Sequence, residues 1–150
     1  MRAAIQLSRE AIDGGAGGPF GAVIVRAGEV VGRGRNRVTL DNDPTAHAEV
    51  EAIRDACRAL RTFRLDDCEI YSSCEPCPMC LAAIYWARLR GLYFANTRQD
   101  AAAIGFDDAL IYEQVALPMD ARKLVSRQML AGEARVVFEQ WKNKTDKIDY

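Results

Sequence analysis

The spacing of apolar positions changes several times along the first forty residues. Residues 2 to 12 carry apolar side chains at helical spacing, and this pattern stops at Asp13-Gly14-Gly15. Residues 21 to 25 form a continuous apolar run, which predicts a strand buried on both faces. A short turn at 27 to 29 leads into a second predicted strand over 30 to 37. This part of the chain therefore predicts a helix followed by a β-hairpin.

Further elements alternate after the hairpin. Asp43-Pro44 is typical of a helix start, with Asp as the cap and Pro at the first helical position, so a helix is predicted over 44 to 59. Residues 68 to 72 indicate a strand, a second helix is predicted from 76 to 86, and residues 92 to 95 indicate another strand. The order favours an α/β fold with crossover helices packed on a central sheet.

The last third of the chain is less regular. Gly105 to Asp108 indicates a turn, and a short strand is predicted over 134 to 137. The tail from Phe138 onward mixes aromatic and charged residues, and we expect it to fray. For a chain of 150 residues, a single domain is the natural expectation.

The second predicted strand has two different faces. Period two places one set of residues on each face, arginine on the first and small or polar residues on the second: Arg33, Arg35 and Arg37, then Gly32, Gly34 and Asn36. An arginine row is compatible with nucleic-acid binding, but it is more often a solvated strand face. The net charge of -1 favours the second interpretation and makes nucleic acid an unexpected partner. Asn36 is placed to face a pocket.

Composition limits where the protein acts. No apolar run approaches the roughly 20 residues that a membrane span needs, and the N-terminus is charged where a signal peptide is apolar. The five cysteines are an odd number and too sparse for a disulfide scaffold. Cys57 and Cys68 are expected to be small buried hydrophobes. We expect a soluble, cytoplasmic protein without a membrane partner.

The only histidine belongs to a set of residues that suits zinc. His47 precedes Glu49 by two positions, and Cys77 and Cys80 follow in a Pro-Cys-x-x-Cys step. Imidazole and thiolates are ligands that zinc prefers. Both groups fall near predicted helix N-termini, where the helix dipole lowers thiol pKa, and the i, i+3 spacing puts both sulfurs on one helix face.

The spacing alone is compatible with two kinds of zinc site. Three ligands would leave a fourth position free for water, and Glu49 would then be the nearby acid for proton transfer. Alternatively, Cys74 would complete a four-ligand structural site. The open site is favoured because Cys74 ends a strand before the helix begins, and because a domain of this size does not need a metal to fold.

These residues resemble the zinc-dependent nucleobase deaminases of the cytidine deaminase superfamily, in which H-x-E is followed by P-C-x-x-C. Residues 18 to 23, 42 to 49 and 73 to 80 are similar to tRNA adenosine deaminases and cytosine deaminases. Residues 85 to 88, residues 103 to 108 and the C-terminal tyrosine are most similar to the bacterial guanine deaminases. The similarity runs over most of the chain.

The resemblance implies a three-layer α/β/α cytidine-deaminase-like fold with a central mixed sheet. It implies one zinc per subunit on His47, Cys77 and Cys80, with Cys74 unligated and Glu49 as the proton shuttle. The reaction would be hydrolytic deamination of guanine to xanthine and ammonia, as part of purine catabolism. The resemblance assigns substrate contacts to Asn36, Phe20, Trp86, Asp108 and Tyr150. It also implies a homodimer that exchanges the C-terminal segment, about 135 to 150, between subunits.

Other interpretations compete with this one. The shared core is compatible with a tRNA adenosine deaminase, or with a deaminase of triazines or other nucleobases. A non-catalytic, zinc-stabilised interaction domain is the alternative of a different class. Phe20 and Trp86 are also suited to a core, Asp107 and Asp108 to a helix cap, and Tyr150 to a disordered end.

Overall fold

Four strands form one mixed sheet in the computed structural model, which describes residues 1 to 149. They are β1 (Gly21–Arg26), β2 (Glu29–Arg35), β3 (Cys68–Cys74) and β4 (Gly91–Asn96). Their order is β2-β1-β3-β4. β1 runs antiparallel to both neighbours, whereas β3 and β4 are parallel. The α/β class and the mixed sheet are therefore confirmed.

Seven α-helices and one 3₁₀ helix accompany the sheet in the described residues. They are α1 (Arg2–Asp13), α2 (Val38–Asp41), α3 (Ala48–Leu60), α4 (Pro78–Trp86), α5 (Arg98–Ala103), α6 (Ala109–Ala116), the 3₁₀ turn Met119–Ala121, and α7 (Ala131–Lys142). The chain divides into two compact units, of which the first is Met1–Ala109 and contains the whole sheet. The second unit, from Leu110 onward, is helical in its regular parts. None of the described helices is both long and apolar enough to cross a membrane.

Helices α1 and α3 cover opposite faces of the sheet. A Cβ added to Gly21 would lie 2.3 Å from the carbonyl oxygen of Ala4 in α1. A Cβ added to Gly34 would lie 2.1 Å from the carbonyl oxygen of Ala48 in α3. Gly34 pairs with Ala22, the neighbour of Gly21, so the two glycines face opposite sides. The first unit is thus layered α/β/α, as expected.

The core lies between the sheet and α3. Ala22, Ile24 and Ile70 contribute from the strands, and alanines of α3 meet them because their short side chains let the helix approach the sheet closely. All these side chains are fully buried. The close approach matters because α3 starts at the residues with candidate chemistry.

The predicted start of this helix is wrong by four residues. Asp43 does not cap it: its Oδ1 accepts hydrogen bonds from the backbone N–H and the hydroxyl of Thr45, both at 2.7 Å. Asp43 therefore closes a local turn that contains Pro44, and α3 begins at Ala48. Asp and Pro are favoured in turns for the same reasons that favour them at helix starts.

Two other predictions are corrected. β2 ends at Arg35, so Arg37 lies beyond the arginine face, and its guanidinium pairs with Asp41 at 2.7 Å. Residues 134 to 137 are not a strand but part of α7, which continues to Lys142 through the segment expected to fray. The paired valines there do not prevent a helix, since β-branching costs little helix propensity.

Candidate metal centre and active site

His47 and Cys77 occupy equivalent places in the fold, because each is the N-cap of a helix. His47 precedes α3 and Cys77 precedes α4, with extended ψ angles of 153° and 167°. Cys80 lies in the first turn of α4. The prediction that helix N-termini carry these groups is confirmed, although each helix begins slightly later than expected.

The three side chains converge on one point. Nδ1 of His47 lies 3.6 Å from Sγ of Cys77 and 3.5 Å from Sγ of Cys80. All three candidate ligand atoms lie within 4.8 Å of one another. Tetrahedral zinc with Zn–S near 2.3 Å and Zn–N near 2.0 Å separates nitrogen and sulfur ligands by about 3.5 Å. The residues present therefore fit a zinc ion.

The electrostatics of the two sulfurs also suit a cation. Donation from the Cys80 thiol, together with contact to His47, lowers the pKa of Cys77 to about 4. The same hydrogen bond and burial raise the pKa of Cys80. Hydrogen bonding to Cys77 raises the pKa of His47. Without a metal the two sulfurs share one proton, and a dication would favour its release.

Cys74 lies outside this group. Its Sγ donates to the carbonyl oxygen of Thr97 at 3.5 Å, and burial raises the pKa of the thiol to about 11. A buried thiol with a raised pKa and a backbone acceptor is typical of a structural cysteine, which supports the prediction that Cys74 is unligated. Among the described residues the candidate ligand set is His47, Cys77 and Cys80 alone.

Glu49 lies beside the ligand group and is almost completely buried, with 4% of its surface exposed. Its Oε1 accepts a hydrogen bond from the hydroxyl of Ser72 at 2.8 Å. Burial raises the pKa of Glu49, and hydrogen bonds from its own backbone N–H and from Ser72 partly oppose this effect. A buried carboxylate with a raised pKa, next to a candidate metal site, is suited to proton transfer.

Asn36 and Phe20 are brought together by the backbone. The N–H of Asn36 donates to the carbonyl oxygen of Phe20 at 3.0 Å. The next residue, Arg37, donates to the carbonyl oxygen of Ala46 at 2.9 Å, which ties this segment to the residue before His47. Asn36 is 4% exposed, and its Oδ1 accepts from the N–H of Val38 at 3.2 Å.

A second aromatic residue joins Phe20. Phe106 contacts it edge to face, with ring centroids 4.9 Å apart. Two residues later, burial raises the pKa of Asp108, and the negative charge of Cys77 adds to this effect. Asp107, not Asp108, accepts from the N–H of Ala109 at the start of α6, at 2.9 Å. This bond closes a local turn just before α6, and Asp108 does not share it.

The predicted substrate contacts Trp86 and Tyr150 stay predictions. Trp86 ends α4, six residues and roughly 9 Å along the helix from Cys80, and it is 69% exposed. Tyr150 lies outside the described residues. Conversely, Ser72 and Phe106 were not among the predicted site residues. Ser72 shares the buried face of β3 with Cys68 and Ile70. A polar residue on such a face needs a hydrogen-bond partner, and this was the sequence signal that could have identified it.

Comparison with known proteins agrees with this geometry. Residues 1–96 match the family described as the cytidine and deoxycytidylate deaminase zinc-binding region. Guanine deaminase of Bacillus subtilis is 48% identical over 150 residues, which are 100% of this chain and 96% of that protein. Its X-ray structure superposes with a TM-score of 0.96, covering 99% of this chain and 95% of that one.

More distant relatives match a smaller part. A guanine deaminase structure from Nitrosomonas europaea has a TM-score of 0.67 at 35% identity, covering 71% of this chain and 62% of that one. A tRNA-specific adenosine deaminase from Agrobacterium fabrum is 51% identical over 86 residues, 57% of each protein.

A His-Cys-Cys group at two helix starts, with a buried glutamate beside it on an α/β/α sheet, defines a zinc-dependent hydrolase. The chain belongs to the cytidine and deoxycytidylate deaminase family. Within that family, the full-length similarity is to guanine deaminase.

Proposed function

We propose that the protein is an enzyme that hydrolyses guanine to xanthine and ammonia. The observation that carries the proposal is the 48% identity to a guanine deaminase along the whole chain, together with the TM-score of 0.96. The candidate centre supplies the chemistry that such a reaction needs. One water is consumed as the bond from C2 to the amino nitrogen breaks and a bond from C2 to oxygen forms.

His47, Cys77 and Cys80 would hold the zinc ion, one per subunit, since their ligand atoms already lie within 4.8 Å of one another. When bound, zinc polarises water for attack on carbon. Glu49 would move the protons: it would accept one from the attacking water and deliver it to ring N3, then accept the second from the new hydroxyl on C2 and deliver it to the departing amino group. Its burial and its contact with Ser72 keep it poised for both transfers.

The proposed substrate contacts suit a flat base with polar edges, such as a purine. Asn36 would bind the base edge, and Phe20 would lie against the flat face of the base, supported by the edge of Phe106. Asp108 would accept hydrogen bonds from ring N–H groups. Trp86 and Tyr150 stay proposed contacts that rest on the resemblance.

A direct assay tests this function. Zinc-loaded protein should consume guanine and form xanthine and ammonia in equal amounts. Glu49→Gln should retain zinc but lose turnover by about a hundredfold or more. Retained turnover in Glu49→Gln, or brisk activity on adenosine-containing tRNA with none on guanine, would contradict the proposal. The tRNA alternative has less support, because tRNA-specific adenosine deaminases match 57% of the chain at 51% identity or 84% of it at 31% identity, whereas guanine deaminase matches the whole chain at 48%.

We also infer that the active form is a homodimer with exchanged C-terminal segments. Large apolar side chains stay exposed in both units, including Tyr93 and Phe94 at 48% and 44%, and Val125 and Phe138 at 80% and 75%. Such surfaces are typical of association.

The five cysteines are all free, which suits the reducing cytoplasm where we expect the enzyme to act.

Mixing two inactive chains tests the exchange. One chain carries Glu49→Gln with an intact tail, and the other keeps Glu49 but lacks residues 135 to 150. If tails are exchanged, a mixed dimer has one complete site and regains guanine turnover. If each tail serves its own subunit, no mixture is active, and that result would overturn the exchange.

A further inference from the structure

The hydroxyl of Ser72 ties the glutamate of α3 to the sheet. Ser72 lies in β3, paired with Ala22 of β1, and it is completely buried. Its Oγ donates to Oε1 of Glu49 at 2.8 Å. The residue is 23 positions from Glu49 in the chain, so this bond joins two separate elements.

The direction of this hydrogen bond follows from the surroundings of the hydroxyl. Oγ of Ser72 also accepts from the N–H of Cys74 at 3.4 Å. A serine hydroxyl has one proton to donate. Since the N–H of Cys74 occupies a lone pair, that proton is directed to the carboxylate. A bond between a hydroxyl and a carboxylate is also stronger than one between neutral groups.

A glutamate side chain has three rotatable bonds, and ordering it costs conformational entropy. The Ser72 bond fixes one carboxylate oxygen, Oε1, and so limits the rotation of this side chain. Proton transfer depends steeply on heavy-atom distance, so a carboxylate free to rotate would spend less time at the reacting atoms. A hydroxyl in this place therefore affects the rate of the chemical step more than the binding of substrate.

We propose that Ser72 is a positioning residue, whose buried hydroxyl holds Oε1 of Glu49 so that the carboxylate faces the reacting atoms. The inference rests on the proposed function, because it assigns the role of Ser72 through Glu49. It concerns the orientation of the side chain. Ser73, the next residue, is a matched control: it is also buried, but its Oγ accepts from the N–H of Gly21 at 3.0 Å.

Ser72→Ala, Ser72→Thr and Ser73→Ala would be compared with the wild type, all loaded with zinc. In Ser72→Ala we expect kcat for guanine to fall about tenfold or more, with KM within about twofold and zinc content unchanged. Ser72→Thr keeps the hydroxyl and should recover most of kcat. Ser73→Ala should keep kcat within about twofold. In the Glu49→Gln background, Ser72→Ala should add no further loss, since the two residues act as one unit.

Crystal structures of the zinc-loaded variants give a readout that does not need turnover. In Ser72→Ala the carboxylate of Glu49 should adopt a new or a second position, whereas in Ser73→Ala it should stay where it is. An unmoved carboxylate in Ser72→Ala, or an unchanged kcat, overturns the role of Ser72. A wild type that does not act on guanine contradicts the proposed function instead, and the crystal structures then still decide whether Ser72 positions Glu49.

Discussion

A Cβ atom on Gly17 would lie 2.0 Å from Oδ1 of Asn36. It would also lie 3.2 Å from the backbone oxygen of Asn36. Glycine at this position therefore leaves the space that the buried amide occupies. The glycine-rich segment before β1 is thus more than a flexible turn, because one of its members determines where a proposed substrate contact lies.

Gly17→Ala should displace the amide of Asn36 and weaken recognition of the base edge. We expect kcat/KM for guanine to fall about tenfold or more, in line with the loss of one or more buried hydrogen bonds to substrate. Steady-state kinetics with zinc analysis would measure it, and zinc content should not change. In the Asn36→Ala background the same substitution should have little further effect. Equal losses in both backgrounds would show that Gly17 acts elsewhere.

Gly34→Ala should destabilise the fold, because the new methyl would meet the backbone of α3 with its Cβ 2.1 Å from the carbonyl oxygen of Ala48. Backbone cannot move aside as a flexible side chain can. We expect a loss of about 1–3 kcal/mol or more in the free energy of unfolding, measured by denaturant titration. Arg33→Ala, on the neighbouring exposed position of β2, should change it by no more than about 0.5 kcal/mol. Similar losses in both variants would argue against close packing as the cause.

The zinc content of serine variants should distinguish the cysteines that bind zinc from Cys74. Cys74→Ser should retain about one zinc per chain, since a hydroxyl can replace the thiol as donor to Thr97. Cys80→Ser should lose most of the metal, because a neutral hydroxyl is a poor ligand for zinc. Elemental analysis after dialysis would distinguish the two. Loss of zinc from Cys74→Ser would revive the structural four-ligand site.

Alkaline pH should weaken the fold through Cys68. Burial raises the pKa of this fully buried thiol from 9.0 to about 11. Because the pKa of Cys68 is higher in the folded state than in the unfolded state, its contribution to stability is fully present below pH 9. This contribution is lost as the pH rises from 9 to 11. The loss should be on the order of 1 kcal/mol by pH 10. Unfolding curves between pH 8 and 11 would show it, and Cys68→Ala should have a shallower dependence. An identical pH dependence of stability in the wild type and in Cys68→Ala would contradict this role of Cys68.

The parts of the site that the sequence predicts well are local in the chain. His47, Glu49, Cys77 and Cys80 have recognisable spacing, and period two correctly separates Gly34 from Arg33 and Arg35. Asp43 shows the limit of local signals, because the same carboxylate chemistry suits a turn and a helix cap.

Long-range relationships were not predictable in this way. Ser72 reaches Glu49 across 23 residues, and Phe106 meets Phe20 across the site. Neither pairing has a sequence spacing that identifies it, since only the folded sheet brings the partners together. Residues 134 to 137 were assigned to a strand because β-branched residues carry a weak preference, which the surrounding helix overrides.

The match to the deaminase family ends at residue 96, whereas Phe106 and Asp108 lie beyond it. The groups that suit metal binding and proton transfer all belong to the shared region. Part of the proposed base-recognition surface comes from a later segment, in which the ring of Phe106 contacts Phe20. The proposed catalytic groups are therefore encoded in one stretch of the gene, and Phe106 and Asp108 are encoded in another. We therefore expect substitutions in the later stretch to change the preference for the base while the proposed metal ligands and Glu49 stay in place.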